Sequence, residues 1–151
     1  MSVRTVVIRH PNENLAKCSL TPLHGRPEIT FLVGEGDMRF DATGYIVLAV
    51  DAPVISPADA GMPLLLLDTT WALLPKLMNR LTGTPVYRRL PEDVRTAYPR
   101  VSKMHKDPAA GLASVEALYL ARKLLGDDDL SLLDGYYWKD TFLEKLPASQ
   151  R

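Results

Sequence analysis

Asp68, Thr69 and Thr70 follow directly on an unbroken run of four leucines, Leu64 to Leu67, and Trp71 comes next. An uninterrupted apolar run of this kind reads as a strand buried on both faces of a parallel sheet. Such strands end where ligands bind, because the following loop and the amide-rich start of the next helix meet there in a crevice. An acid and two hydroxyls at that point can hydrogen-bond a ligand, and the acid can equally cap the helix that follows. A second group of candidates is cationic. From Arg80 to Asp107 the chain carries Arg80, Arg88, Arg89, Arg95, Arg100, Lys103 and Lys106 against Glu92, Asp93 and Asp107. That excess suits a phosphate-contacting face, and it also suits a solvated helix-and-loop surface. Metal chemistry is not expected: Cys18 is the one cysteine, and His10, His24 and His105 show no ligand spacing with it or with one another. Only Lys17 beside Cys18 favours a thiolate, so a small buried residue is the expectation there.

The elements that must position these residues alternate along the chain. Arg4 to Arg9 and Ile29 to Val33 read as strands separated by a loop that bears proline and glycine. Gly34 to Gly44 reads as a hairpin or a boundary, and residues 1–43 are set apart as a small N-terminal β-containing unit. From Tyr45 the order becomes strand, helix, strand, helix. Tyr45 to Val50 is a strand, and Ser56 is an N-cap with Pro57 in the first helical position and Asp59 in the first turn. After Asp68, one of the two threonines caps a helix whose apolar face is Leu73, Leu74, Leu77, Met78 and Leu81, with Pro75 tolerated in the first turn. Val86 to Leu90 reads as a strand and Pro91 to Tyr98 as a short helix. Ser114 caps a helix from Val115 to Leu125 that Gly126 stops, with Val115, Leu118, Tyr119 and Leu125 as its apolar stripe. Glu116 falls off that stripe, near the positive end of the helix dipole. The pattern therefore predicts an α/β protein with a mainly parallel sheet flanked by helices.

Composition bounds the function without choosing it. With 151 residues, 46% of them hydrophobic, the chain can bury one good core. No apolar stretch approaches the ~20 residues of a membrane span. The opening MSVRTVVIRHPNEN has neither the apolar core nor the small-residue cleavage site of a signal peptide, so a cytoplasmic location without membrane contact is expected. Eighteen basic and eighteen acidic residues cancel, so any attraction to nucleic acid rests on where the charges lie. The oligomeric state is left open.

Several segments, in order, resemble one family. LLLLDTTWALLPKL from Leu64 is similar to the "D-x-S/T-W" segment of the ribosomal-RNA aminocarboxypropyltransferases and the related DTW-domain tRNA-uridine aminocarboxypropyltransferases. RRLP at Arg88 to Pro91 agrees, and GLASVEALYLARKLLG from Gly111 to Gly126 matches the family's "L-S-x-V/I-E-A" helix. YYWKDTFLEKL, Tyr136 to Leu146, resembles the "F-x-W-G-x-x-F-L" element of the ribosomal-RNA branch. His10-Pro11 and Lys17-Cys18-Ser19 are similar to that branch's "H-P…K-C-T" opening, and SPADAG before the leucines fits as well. One loop departs: the family carries "A-N-P-V-N-Y-G" where this chain reads AYPRVSKMHKDPAAG, Ala97 to Gly111. The reaction therefore carries over more directly than the RNA substrate.

The resemblance implies a SPOUT-like fold with a C-terminal trefoil knot, residues 44–151 forming a domain that binds S-adenosylmethionine. It implies transfer of the 3-amino-3-carboxypropyl group to a uridine or pseudouridine nitrogen in rRNA or tRNA. The alternatives are a SPOUT-type RNA methyltransferase and a non-catalytic cofactor- or RNA-binding relative. Ala49, Val50, Asp51, Leu67, Thr69, Thr70, Trp71, Leu112, Ala113 and Ser114 are the implied cofactor contacts. Trp71 can hold the sulfonium by cation–π attraction or be plain core. Asp68 and Glu116 are the implied catalytic carboxylates, accepting the base's proton or orienting it, with Asp68 preferred. Glu116 can instead pair with the helix amides or with an arginine. Arg88, Arg89, Arg95, Arg100, Lys103 and Lys106 are the implied RNA contacts.

Overall fold

The computed structural model describes residues 3–11, 19–49, 52–69, 73–91 and 114–150. Its main sheet holds β1 (Thr5–Arg9), β2 (Ile29–Val33), β4 (Ile46–Leu48), β5 (Leu64–Asp68) and β7 (Val86–Arg88), in the order β2-β1-β5-β4-β7. Every pairing is parallel, so all five strands end on the same edge. A two-stranded parallel sheet joins β3 (Phe40–Asp41) to β6 (Leu81–Thr82). The parallel α/β class expected from the alternating pattern is thus the observed one. Strands β1 and β2 come from the segment set apart as an N-terminal unit, yet β1 lies between β2 and β5 in the main sheet, paired with β5 over its whole length.

The leucine run has a simple physical account. Side chains alternate across a strand, and both faces of β5 are covered. Leu64 and Leu66, with Val7, Ile46 and Leu48, face the larger core built on α2 (Ser114–Leu124) and the C-terminal segment. Leu65, with Val6, Ile8 and Val47, faces a smaller core completed by Ala42 and Leu77. Burying a leucine side chain fully contributes roughly 1.5–3 kcal/mol, so a central strand needs apolar residues at every position.

Two helices differ from expectation. The helix after Asp68, α1, spans only Leu74–Met78, and its N-cap is Leu73, which makes no side-chain cap. Leu81 has left the helix to pair with Phe40 in the small sheet, which explains why the apolar spacing outran the helix. Helix α2 starts at Ser114, one residue earlier than expected, and the Ser114 hydroxyl donates to Asp68. Ser19 Oγ accepts the Val115 amide at 3.0 Å, a cap supplied from distant sequence. Val115 to Arg122 are all buried, because α2 is enclosed by the sheet on one side and by the 3-10 turn Leu130–Leu133 and α3 (Lys139–Lys145) on the other. Glu116 therefore lies in the interior and not beside an apolar stripe. Gly126, at φ 98°, ends the helix, with its amide bonded to Lys123 and that of Asp127 to Arg122. Ser56 caps the turn Pro57–Asp59, and Asp59 Oδ2 in turn accepts the Ser56 amide at 3.1 Å. No described helix is long and apolar enough to cross a membrane.

Candidate functional site

Parallel register places Arg9, the last residue of β1, beside Asp68, the last residue of β5. Arg9 Nε donates to Asp68 Oδ2 at 3.1 Å, with both side chains almost wholly buried. Ser114 Oγ donates to the other oxygen, Oδ1, at 3.1 Å. Arg9 Nη1 lies 3.0 Å from His24 Nε2, so the imidazole nitrogen there accepts. His24 stacks on Phe31 with ring centroids 4.0 Å apart, and the Arg9 guanidinium sits 4.8 Å from the Phe31 centroid. One buried ion pair therefore ties together the ends of β1 and β5, the start of α2 and the loop before β2. Taking two charges out of water is costly, and removing one partner of such a pair typically costs about 3–5 kcal/mol, so the pair fixes geometry more than it adds stability.

Beside this cluster, a cavity of about 50 Å³ opens at the carboxyl ends of β4 and β5, walled by Val47, Leu48, Leu66, Leu67, Thr69 and Leu74. The wall is apolar with one exception. Thr69 Oγ1 is buried and has no hydrogen-bond partner among the described residues. An unsatisfied buried hydroxyl costs about 1–3 kcal/mol, a cost removed when a bound molecule supplies the partner.

The structure divides the residues predicted from sequence. Asp68, Leu67, Thr69 and Ser114 come together at this edge, and Ala49 adjoins it, its amide bonded to the Arg88 carbonyl at 2.8 Å. Both oxygens of Asp68 are engaged and the residue is 2% exposed, so in this geometry it ties β1, β5 and the start of α2 together. Glu116 is 0% exposed, and its carboxylate accepts the Tyr136 hydroxyl at 3.0 Å, pinning the C-terminal segment to α2. Among the described contacts Glu116 therefore serves packing, joining the first turn of α2 to the C-terminal segment.

Arg88 is bound to Asp59 through Nε at 3.1 Å and Nη2 at 3.3 Å. Burial pushes the Asp59 carboxyl up, but the Arg88 hydrogen bond, the Ser56 amide and the Arg88 charge together bring it below the usual carboxylate range. Arg89 is half-buried and bridges Val54 through its backbone. Val50, Asp51, Thr70, Trp71, Leu112, Ala113, Arg95, Arg100, Lys103 and Lys106 lie outside the described residues.

Sequence reading missed Arg9, His24, Phe31 and the capping role of Ser19. Arg9 carried one signal, an arginine closing an otherwise apolar strand, as Asp68 closes its own. Their pairing depends on which strands are neighbours.

A parallel sheet with a buried ion pair and an apolar cavity at its carboxyl edge places the chain in the parallel α/β class. No protein-family model matches the sequence, and no curated protein matches it. Among solved structures, the chain is similar to that of the SAM-dependent rRNA:acp-transferase Tsr3 from Vulcanisaeta distributa, with a TM-score of 0.72 and 22% identity over 95% of this chain and 78% of that one. The likeness is one of fold.

Proposed function

We propose that this protein transfers the 3-amino-3-carboxypropyl group of S-adenosylmethionine to a uridine or pseudouridine nitrogen in RNA, with rRNA as the favoured substrate. The observation that carries the reading is the unpartnered Thr69 hydroxyl on an otherwise apolar wall at the carboxyl edge, in a fold shared with a SAM-dependent rRNA acp-transferase. The SPOUT-like description, the trefoil knot near the C-terminus, the relation to the DTW-domain enzymes and the cytoplasmic location belong to the same proposal, supported by the ordered motifs.

The described wall, around a space of about 50 Å³, suits part of the molecule. When bound, S-adenosylmethionine supplies a sulfonium whose three carbons are all open to attack, and orientation decides which one reacts. Leu48, Leu66, Leu67 and Leu74 exclude water and suit its apolar parts, and Thr69 Oγ1 offers one hydrogen bond. Val50, Asp51, Thr70, Trp71, Leu112 and Ala113 complete the proposed site from sequence alone. Asp68 and Arg9 hold the loop that carries Thr69 against the start of α2. Their contribution is preorganisation, since a misplacement of about 1 Å can cost a hundredfold in rate. Arg95, Arg100, Lys103 and Lys106 are proposed to meet RNA phosphates.

In the balanced reaction a carbon–sulfur bond breaks, a carbon–nitrogen bond forms, the base nitrogen loses its proton and the sulfur leaves as the thioether methylthioadenosine. Calorimetry with S-adenosylmethionine, followed by chromatography of the spent molecule after incubation with RNA, tests this. Binding and methylthioadenosine as the by-product are expected. S-adenosylhomocysteine would replace the reading with methyl transfer, and absence of binding at large excess would remove both.

A further inference from the structure

Tyr137 is 86% exposed, far more than Val33, Tyr87 and Leu130, the other exposed large hydrophobic residues among those described. Its backbone is nevertheless fixed on both sides. Gly135 lies so close to Pro22 that an added Cβ would come within 2.5 Å of the proline Cβ, so this junction has no space for a side chain. Tyr136 is buried, with its hydroxyl on Glu116 at 3.0 Å. Trp138 makes a T-shaped contact with the Tyr137 ring, with centroids 4.8 Å apart and an interplanar angle of 82°, and this contact helps to hold a ring that stays 86% exposed.

Two separate chains of contacts lead from this segment to the carboxyl edge of the sheet. Through Tyr136 and Glu116 the path enters the first turn of α2, where Ser114 bonds Asp68. Through Gly135 and Pro22 it enters the turn before His24, which meets Arg9 and hence Asp68. The ring is thus displayed from a rigid frame at the cavity's end of the molecule.

We propose that Tyr137 is a stacking platform for an unpaired nucleobase of the RNA substrate, next to the nucleotide that enters the site. The inference rests on the RNA-modifying reading above. A protein partner would call for a continuous apolar patch. Here the exposed Asp134 pairs with the half-buried Lys139 at 2.6 Å, Val33 and Tyr87 lie on the two edge strands of the sheet, and Leu130 stands at the start of the turn Leu130–Leu133. An exposed aromatic ring on a fixed backbone matches a flat base. Stacking needs no local positive charge and tolerates any base, which suits a chain of zero net charge.

The test uses the full chain, a fluorescent short oligouridylate and S-adenosylmethionine, each titrated against wild type, Tyr137→Ala and Tyr137→Trp. Oligouridylate affinity is expected to fall about fivefold or more in Tyr137→Ala and to be retained in Tyr137→Trp. S-adenosylmethionine affinity is expected to stay unchanged in both, which also shows that the variants fold. Equal oligouridylate affinity in wild type and Tyr137→Ala, or no oligouridylate binding by wild type, overturns the inference. So does a change confined to self-association, which would make the ring a protein contact. If wild type binds oligouridylate through Tyr137 but binds no S-adenosylmethionine, the platform stands and the transferase reading falls.

Discussion

The two ends of the main sheet are both tied by buried charge, and they are tied to different purposes. At the amino end, Arg122 is fully buried and reaches Asp127 through Nε at 3.2 Å and Nη2 at 2.5 Å. The Val3 amide donates to the same Asp127 oxygen at 2.8 Å, and Arg26 bridges Glu28 at 3.0 Å and Asp129 at 3.3 Å. At the carboxyl end, Arg9 and Asp68 gather Ser114 and His24 beside the cavity. Among the described residues, each end leaves one buried polar atom without a hydrogen bond. At the amino end it is Arg122 Nη1, with a Glu28 oxygen 3.7 Å away to offset its charge. At the carboxyl end it is the neutral Thr69 hydroxyl, on the wall of a cavity. One end closes the fold, and the other keeps a group in reserve for a ligand.

The largest expected effect comes from breaking the closed end. Arg122→Ala leaves Asp127 partly buried beside the lost guanidinium and opens a void at the end of α2. A loss of about 3–5 kcal/mol in unfolding free energy is expected by denaturant titration. S-adenosylmethionine affinity of the folded fraction should match wild type. A variant of unchanged stability would show that the amino-end network is a surface feature despite its burial.

At the open end the expected effect is smaller and carries two signs. Thr69→Val keeps the shape and deletes the unpartnered hydroxyl. The ligand-free protein should be equally stable or gain about 1 kcal/mol, because a desolvated orphan is removed. S-adenosylmethionine affinity should fall about three- to tenfold, the worth of one net hydrogen bond. Calorimetry and thermal melts on the same sample check both. Lower stability together with unchanged affinity would mean that the hydroxyl serves the fold, and the contrast between the two ends would vanish.

How far this was legible in the sequence follows from the same contrast. The leucine run could be placed because a strand covered on both faces must be apolar throughout, and Ile29–Val33 was bounded correctly by its alternation and flanking turns. Leu81 misled because helical spacing says nothing of a pairing partner forty-one residues earlier in the chain, Phe40. The burial of Glu116 was hidden for a related reason: an acid in a first turn is ordinarily exposed, and the Tyr136 hydroxyl that it accepts comes from a C-terminal segment twenty residues further on. The Arg9–Asp68 pair joins residues 59 apart in sequence, through a strand order that composition does not encode. The cavity's location followed from the rule that ligands meet parallel strands at their carboxyl ends, whereas the unpartnered Thr69 hydroxyl required atoms.

The smallest expected effect sharpens the comparison at the edge of the sheet, where Arg88 was assigned to RNA and is found on Asp59. The Asp59 carboxyl lies below its usual range: burial raises it, but the Arg88 hydrogen bond, the Ser56 amide and the Arg88 charge outweigh that. A carboxylate with a depressed folded value adds stability above the unfolded value, roughly pH 3.9, and loses it as pH falls through the folded one. Arg88→Met should therefore cost about 1 kcal/mol or less at neutral pH, since the guanidinium is partly exposed. The gap from wild type should close in acid below that range, as Asp59 takes up its proton in both proteins. RNA affinity should keep its salt dependence, because a guanidinium already bound to a carboxylate releases no counterions from the nucleic acid. A slope of log affinity against log salt shallower by about 0.7 to 0.9 would show instead that Arg88 leaves Asp59 for a phosphate when RNA arrives.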